Sequence, residues 1–314
     1  MLLALPLVLL GAALAVHADI NPGHHQLARH HKVAPRSPAP GLQTATQVRK
    51  RKSCKAPTSS KKPASSKKPA ATKKPAATTA PKAKPTNNNA AAQSGTIKVQ
   101  VDRCGNNGAT TQTTKTTGPN GSIDWLNCGL TGGGWNPPYI RVEDVRAADL
   151  ATALKSPSSP FHACAAFVDI FYEAANAFGL KPIMLASFAM QESSCNPHTV
   201  GGGGEQGLMQ ITQDKCGGAP GGNCQDAKFN IMTGAKYFAN VLNGNNGDLL
   251  LSLGMYNGWS RGLTVGKATA ARHSACCLCQ NNMDYLFQWM NGWILNIDAY
   301  SQGLGKYFNL AVCR

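Results

Sequence analysis

Apolar positions recur at helical spacing through the C-terminal half of the chain. Cys164, Val168, Phe171, Ala175 and Phe178 are separated by four, three, four and three residues, which puts them on one face of a helix. Ser159-Pro160 precedes this run and Gly179 follows it. Ser caps orphan N–H groups, Pro fits the first turn and Gly accepts the left-handed backbone of a helix end, so the pair brackets the element. Pro182 opens a second predicted helix over IMLASFAMQES. Ala227, Ile231, Ala235, Phe238 and Leu242 mark a third; Asp248 precedes a Leu-rich fourth that ends at Tyr256-Asn257-Gly258; a fifth covers roughly 283–300, with Trp289 and Trp293 four apart. Residues 95–160 read instead as short, turn-rich segments such as Gly118-Pro119-Asn120-Gly121. The expected fold is mainly α.

The N-terminal third carries no such pattern. Leu2 to Val16 is a continuous apolar stretch, with Val16 and Ala18 at the small-residue positions of a signal peptidase site. It is shorter than the ~20 residues of a membrane span, so 1–18 reads as a cleaved secretory signal and the protein as extracellular, with no membrane contact after cleavage. Arg49-Lys50-Arg51-Lys52 offers a dibasic processing site that would make 19–51 a pro-segment. From 52 to 94 the chain is largely Lys, Pro, Ala, Ser and Thr, with SSKKPA twice and ATKKPA once. Such a segment cannot form a core and reads as an extended, disordered linker, either a solvated spacer or a grip on an anionic wall polymer.

Charge divides the same way. Residues 20–94 hold 16 Lys and Arg and no Asp or Glu, whereas 95–314 hold 15 basic and 14 acidic residues. The folded part is nearly neutral, which excludes a nucleic-acid-binding core with its own basic face. Ten of the 11 cysteines lie within 104–313, and an even number in an exported domain reads as a disulfide framework. Cys195 should anchor the end of the second helix, and Cys216 and Cys224 are natural local partners. The cluster Cys276, Cys277 and Cys279 near His273 admits a metal reading, but the second half of a zinc motif is lacking. Asn120-Gly121-Ser122 is the one N-glycosylation pattern in the chain.

The second helix carries the candidate chemistry. Leu185, Phe188 and Glu192 stand at i, i+3 and i+7, so the glutamate shares an apolar face. Desolvation raises a carboxyl pKa toward the range a general acid needs near neutral pH. Fifteen residues on comes Gly207-Leu208-Met209-Gln210-Ile211, then Asn230-x₃-Gly234-x₂-Tyr237, then Met255-Tyr256-Asn257-Gly258.

In this order the motifs Glu192-Ser193, Asn196-Pro197, Gly207 to Ile211 and Met255-Tyr256-Asn257 resemble those of the soluble lytic transglycosylases, relatives of goose-type lysozymes that cleave peptidoglycan. The resemblance covers about residues 160–300. It implies a lysozyme-like helical domain with 161–314 as the catalytic part, no cofactor and no metal, and peptidoglycan or a related N-acetylated polysaccharide as partner; the disulfide-rich character read from the cysteines sets the chain apart from the bacterial enzymes, which commonly lack so many. It implies Glu192 as the single acid/base and Ser193, Met209, Gln210, Tyr256, Asn257 and, more loosely, Tyr285 as substrate-binding positions. Two positions depart from the family pattern: Gly201 stands where a Ser is common and Met255 where the motif has Ala. A secreted fungal relative would account for the dibasic site, the disulfides and the Lys-Pro tail together.

Counting carboxylates frames the mechanism. The folded part has four glutamates, Glu143, Glu173, Glu192 and Glu205. Glu143 and Glu173 read as solvated, which leaves Glu205 as the rival second carboxylate and Asp214 as a weaker one. The resemblance implies that none is needed, with a 1,6-anhydro sugar as product. Lysozyme-like hydrolysis of peptidoglycan or chitin, and a catalytically silent wall-binding role, stay open. Trp135 and Trp259 admit either sugar stacking or core packing.

Overall fold

The computed structural model describes residues 95–313, and the signal, pro-segment and linker expectations, together with Cys54, lie outside the described residues. The chain opens with a short antiparallel pair, β1 (Val101–Asp102) and β2 (Gly105–Asn106), in which Val101 pairs with Asn106. Two single-turn helices follow, α1 (Ile123–Leu126) and α2 (Leu150–Ala153), capped by Ser122 and Asp149 through bonds to the N–H groups of Trp125 and Thr152. Six further α-helices, joined by turns and short 3-10 segments, follow: α3 (Val168–Phe178), α4 (Pro182–Ser193), α5 (Ala227–Gly244), α6 (Leu249–Tyr256), α7 (Val265–Ala268) and α8 (Tyr285–Asn291). Among the described residues no helix is long and apolar enough to cross a membrane.

The punctuation read from sequence has clear counterparts. Gly179 closes α3 at φ 68°, Pro182 is the first residue of α4, and the side chain of Asp248 caps α6 by accepting from the Leu251 N–H. Two stretches differ. Residues 160–167 form a 3-10 helix leading into α3, not an α-helical turn. The fifth predicted helix is broken: α8 ends at Asn291, a 3-10 turn spans Trp293–Leu295, and 299–303 is a turn. Gly292 makes the break, because a Cβ there would lie 2.4 Å from the Gln288 carbonyl and 2.6 Å from the Ala299 methyl. Only a residue without a side chain lets the chain fold back so closely.

Helix α4 is the centre of the domain. It packs against α3 and α8, and every residue from Ile183 to Ser193 is buried. The one-face reading of Leu185, Phe188 and Glu192 is therefore corrected: the helix is enclosed on all sides, and an apolar helix of that kind has no exposed stripe. Phe188 anchors it, with its ring centroid 4.3 Å from Tyr256, 4.7 Å from Phe238 and 5.4 Å from Trp289. Trp135 and Trp259 also lie in the core, packed edge to face at 5.0 Å with their indole N–H groups donating to Leu126 O and Asn257 Oδ1. They offer no stacking face to a sugar.

The ten cysteines of this part form five disulfides: Cys104–Cys128, Cys164–Cys195, Cys216–Cys224, Cys276–Cys279 and Cys277–Cys313. The metal reading of the 276–279 cluster falls with them, since bridged sulfurs are not thiolate ligands. Asn120 is also reassigned. It is fully buried, and its amide donates to the carbonyls of Arg146 and Met290, so it ties the N-terminal segment to α8 and presents no glycosylation acceptor in the folded domain.

Candidate active site

Glu192 occupies the penultimate position of α4, and the chain turns sharply just beyond it. Ser194 and Cys195 both adopt left-handed backbone, with φ 52° and 58°. Their N–H groups return to the carbonyls of Met190 and Ala189, closing the helix. Two non-glycine residues in this region cost ~1–3 kcal/mol each and persist only where the surroundings hold them. The Cys164–Cys195 disulfide supplies that hold by tying the helix end to the 3-10 segment before α3.

The following turn is tied down from two sides. The Ser193 hydroxyl donates to the carbonyls of Ala189 at 3.0 Å and Leu208 at 2.9 Å, which links α4 to residues 207–210. From α5, Asn230 accepts the Met209 N–H at 2.7 Å and donates to the carbonyls of Gln206 and Cys224. Gly234, one turn further along α5, leaves room for the Met209 side chain, whose Cβ and Sδ lie 2.8 Å from where a glycine Cβ would be. The i, i+4 pair Asn230 and Gly234 is thus a socket for the Met209 turn.

The glutamate itself is 3% exposed. The Tyr285 hydroxyl donates to its Oε1 at 2.6 Å, while Oε2 has no hydrogen-bond partner. Burial pushes the carboxyl well above its usual range; the Tyr285 bond opposes this, and the charge of Glu205 adds to the rise. The phenols of Tyr285 and Tyr256 are also raised, first by burial and then by the Glu192 charge, so both act as O–H donors. Tyr285 is set in place by its neighbour. Asp284 accepts the N–H groups of Lys306, Tyr307 and Phe308, at 2.7, 2.9 and 2.6 Å, pinning the C-terminal segment to the start of α8.

A cavity of about 310 Å³ opens at Glu192, with Ser193, Asn196, Thr199, Val200 and Tyr300 among its walls. Of the candidate site residues read from sequence, only Glu192 and Ser193 line it, joined by Asn196 of the Asn196-Pro197 motif. Tyr256 sits beneath, donating to the Met209 carbonyl at 2.9 Å. Asn257 is buried, with Oδ1 accepting from Trp259 and its carbonyl from Asn281. Gln210, at φ 47°, donates to the carbonyls of Thr199 and Gly207, and its Oε1 has no partner.

Gly201 and Glu205 explain each other. Glu205 is 3% exposed and accepts the Gly203 N–H at 3.0 Å. A Cβ at Gly201 would lie 2.4 Å from Glu205 Oε2 and 2.7 Å from Gln210 Oε1. The absent side chain therefore makes room for a buried carboxylate on the loop beside Glu192. Glu143 and Glu173, by contrast, are exposed in ion pairs with Arg141 and Lys228, and Asp214 is exposed and paired with Lys215.

Sequence reading missed Gln191, Thr199 and Tyr300. Gln191 had a signal, being a second polar residue beside Glu192 inside an apolar helix. Tyr300 had none, since it fell at the end of a helix predicted to continue. Among the described residues no group of His, Cys, Asp and Glu is arranged to hold a metal ion.

Residues 169–272 match the transglycosylase SLT domain, a stretch that includes Glu192, the Met209 turn, α5 and Tyr256-Asn257. Among solved structures, the chain is similar to an inactive mutant of the lytic transglycosylase Slt from Pseudomonas aeruginosa, at 18% identity and TM-score 0.28 over 46% of this chain and 23% of that one. It is also similar to the 70 kDa soluble lytic transglycosylase from Escherichia coli, at 20% identity and TM-score 0.28 over 43% of this chain and 24% of that one. The match spans about a quarter of each of those longer proteins. The resemblance to the transglycosylase SLT domain family thus rests on residues 169–272, about a third of the chain.

Proposed function

We propose that the chain is a secreted enzyme that cuts the β-1,4 bond between N-acetylmuramic acid and N-acetylglucosamine in peptidoglycan, and that it works as a lytic transglycosylase. The observation that carries this reading is a buried glutamate, raised in pKa, with one oxygen held by a tyrosine and the other unpartnered, at the edge of a cavity. Such a carboxyl holds its proton to higher pH than a solvated one and can give it from Oε2.

Glu192 protonates the glycosidic oxygen, and the bond from that oxygen to C1 of N-acetylmuramic acid breaks. The neighbouring acetamido oxygen bonds to C1 as the alcohol leaves. The Glu192 carboxylate, stabilised by the Tyr285 hydroxyl, then takes the proton of the C6 hydroxyl as O6 attacks C1 and displaces the acetamido oxygen. One carboxyl serves as acid and then base, and the product ends in a 1,6-anhydro sugar.

The buried Glu205 favours a second reading. A carboxylate there could activate water, as a two-carboxylate glycosidase requires, and the product would be a reducing end. Mass spectrometry of digested peptidoglycan separates the two, because the anhydro product is one water lighter. Glu192→Gln should abolish either product. Binding to walls without any product from the wild type would make the chain a wall-binding protein instead.

The basic linker completes the proposal as a salt-sensitive tether to anionic wall polymers, since exposed charge attraction is screened over ~10 Å at 0.1 M salt. Equal wall retention of the full chain and residues 95–314 across a salt series would remove it.

A further inference from the structure

The segment 298–302 separates two cavities. Tyr300 lines the one at Glu192. Asp298, Ser301 and Gln302, on either side of it in the chain, line a second cavity of about 710 Å³ together with Thr113, Thr114 and Lys115. Nothing in the mechanism above uses this second space. Its walls combine hydroxyl and amide groups with the apolar Pro160, Ile297 and Leu304, one cation and one carboxylate, a mixture that suits a ligand with neutral hydroxyl and acetamido groups on an apolar ring better than a polyanion.

Tyr300 is fixed from three sides and bare on the remainder. Its hydroxyl donates at 2.7 Å to the carbonyl of Gln191, the residue before Glu192. Its ring meets the buried Trp293 ring edge to face at 5.0 Å and 79°. Its N–H and that of Ser301 both bond to Asp298 Oδ1 at 3.0 Å. Trp293 is held in turn, its indole N–H bonded to Gln191 Oε1 and the Gln191 amide to Gln288 at 3.0 Å. A ring so anchored cannot swing away, yet the residue is 41% exposed. Rigid aromatic surface with a satisfied hydroxyl matches the C–H face of a pyranose, which buries apolar area without losing its ring hydroxyls' bonds.

We propose that Tyr300 is a carbohydrate platform over which a glycan strand passes from the Glu192 cavity into a second saccharide site at 298–302, so that the chain selects for longer strands. This rests on the glycan-cleaving reading given above. The test uses the Glu192→Gln chain, which should bind without turnover, and peptide-free alternating N-acetylglucosamine and N-acetylmuramic acid oligomers, one short enough to fill only the Glu192 cavity and one long enough to reach the second.

Calorimetry should show tighter binding of the longer oligomer. Adding Tyr300→Ala should weaken that binding by about tenfold, the scale of one lost aromatic contact, and leave the short oligomer less affected. Tyr300→Phe keeps the ring and should stay within about twofold, as should Tyr300→Trp. Ser301→Ala with Gln302→Ala should reduce the gain with length while sparing the short oligomer. No gain with length, or unchanged affinity in Tyr300→Ala, overturns the platform. Equal losses in Tyr300→Phe and Tyr300→Ala overturn it too, by assigning the effect to the hydroxyl anchor. Failure of the Glu192→Gln chain to bind either oligomer overturns the glycan reading itself.

Discussion

Tyr285 and Glu192 lie 93 residues apart in the chain, and in the fold the phenol donates to the carboxyl Oε1 across 2.6 Å. The bond works against burial, which is the larger influence and raises the acid. Tyr285→Phe should therefore raise the Glu192 pKa further and move the alkaline limb of the pH–rate profile upward. Turnover should fall about tenfold or more, given the ~1.5–3 kcal/mol of a hydrogen bond to a charged group, because the carboxylate formed after proton donation loses its donor. An unmoved alkaline limb would show that the tyrosine does not tune the acid.

Glu192 should also make the fold pH-sensitive in an unusual direction. Its folded pKa is raised above the ~4.3 of an unfolded glutamate, so between the two values the native state holds the extra proton. Stability from this group is fully present below the unfolded value and is lost as pH rises toward the folded one. Glu192→Gln keeps a neutral group of the same shape, so it should melt higher than wild type at pH 8 and show less difference at pH 4. Calorimetric melting across that range checks this; a variant less stable than wild type at pH 8 contradicts it.

Much of the helical framework was legible because its signals are local. Ser159-Pro160, Gly179, Pro182 and Asp248 act through their own backbone and hydroxyl or carboxyl groups, and each marks an element edge in the structure. The break at Gly292 was not legible, because its cause is the return of Ala299 against the Gln288 carbonyl, a contact no periodicity reports. The same holds at the site. Glu192 stood out as a carboxyl within an apolar helix, but the roles of Asn230 and Gly234 depend on where the Met209 turn docks. The resemblance implies that Tyr256 and Asn257 orient the glutamate and the substrate acetamido group, and only the fold shows that their polar groups meet Met209, Trp259 and Asn281 beneath the cavity.

The Cys164–Cys195 bridge should matter more to activity than its share of stability suggests. It closes 31 residues, worth about 3–4 kcal/mol on the chain-entropy account. It also holds the left-handed Ser194-Cys195 turn that ends α4 directly after the catalytic candidate. Replacing both cysteines with Ala should lower the melting temperature and reduce turnover even at temperatures where the variant remains folded. Replacing Cys104 and Cys128, which join segments remote in sequence from Glu192, should lower stability with turnover retained while folded. Equal turnover in the two folded variants would separate the helix-end bridge from the chemistry.

The decisive substitution for mechanism is Glu205→Gln. Gly201 leaves the space that the Glu205 carboxyl fills, and the Glu205 charge contributes to the raised pKa of Glu192. Neutralising it removes a like charge, so the Glu192 pKa should fall and the alkaline limb of activity should move to lower pH, opposite to the shift expected for Tyr285→Phe. On the single-carboxylate route, turnover at a pH below that limb should change by less than about threefold and the anhydro product should persist, because nothing in the route passes through Glu205. On the hydrolytic route the variant loses the group that activates water, and reducing-end product should fall by ~10² or more. Gly201→Ser supplies an independent check. Its Cβ would stand 2.4 Å from Glu205 Oε2, so the carboxyl must move, and the pH–rate profile should shift in the same direction as in Glu205→Gln. Loss of all activity in both variants, with only reducing-end product from the wild type, would make the pair Glu192 and Glu205 the catalytic unit.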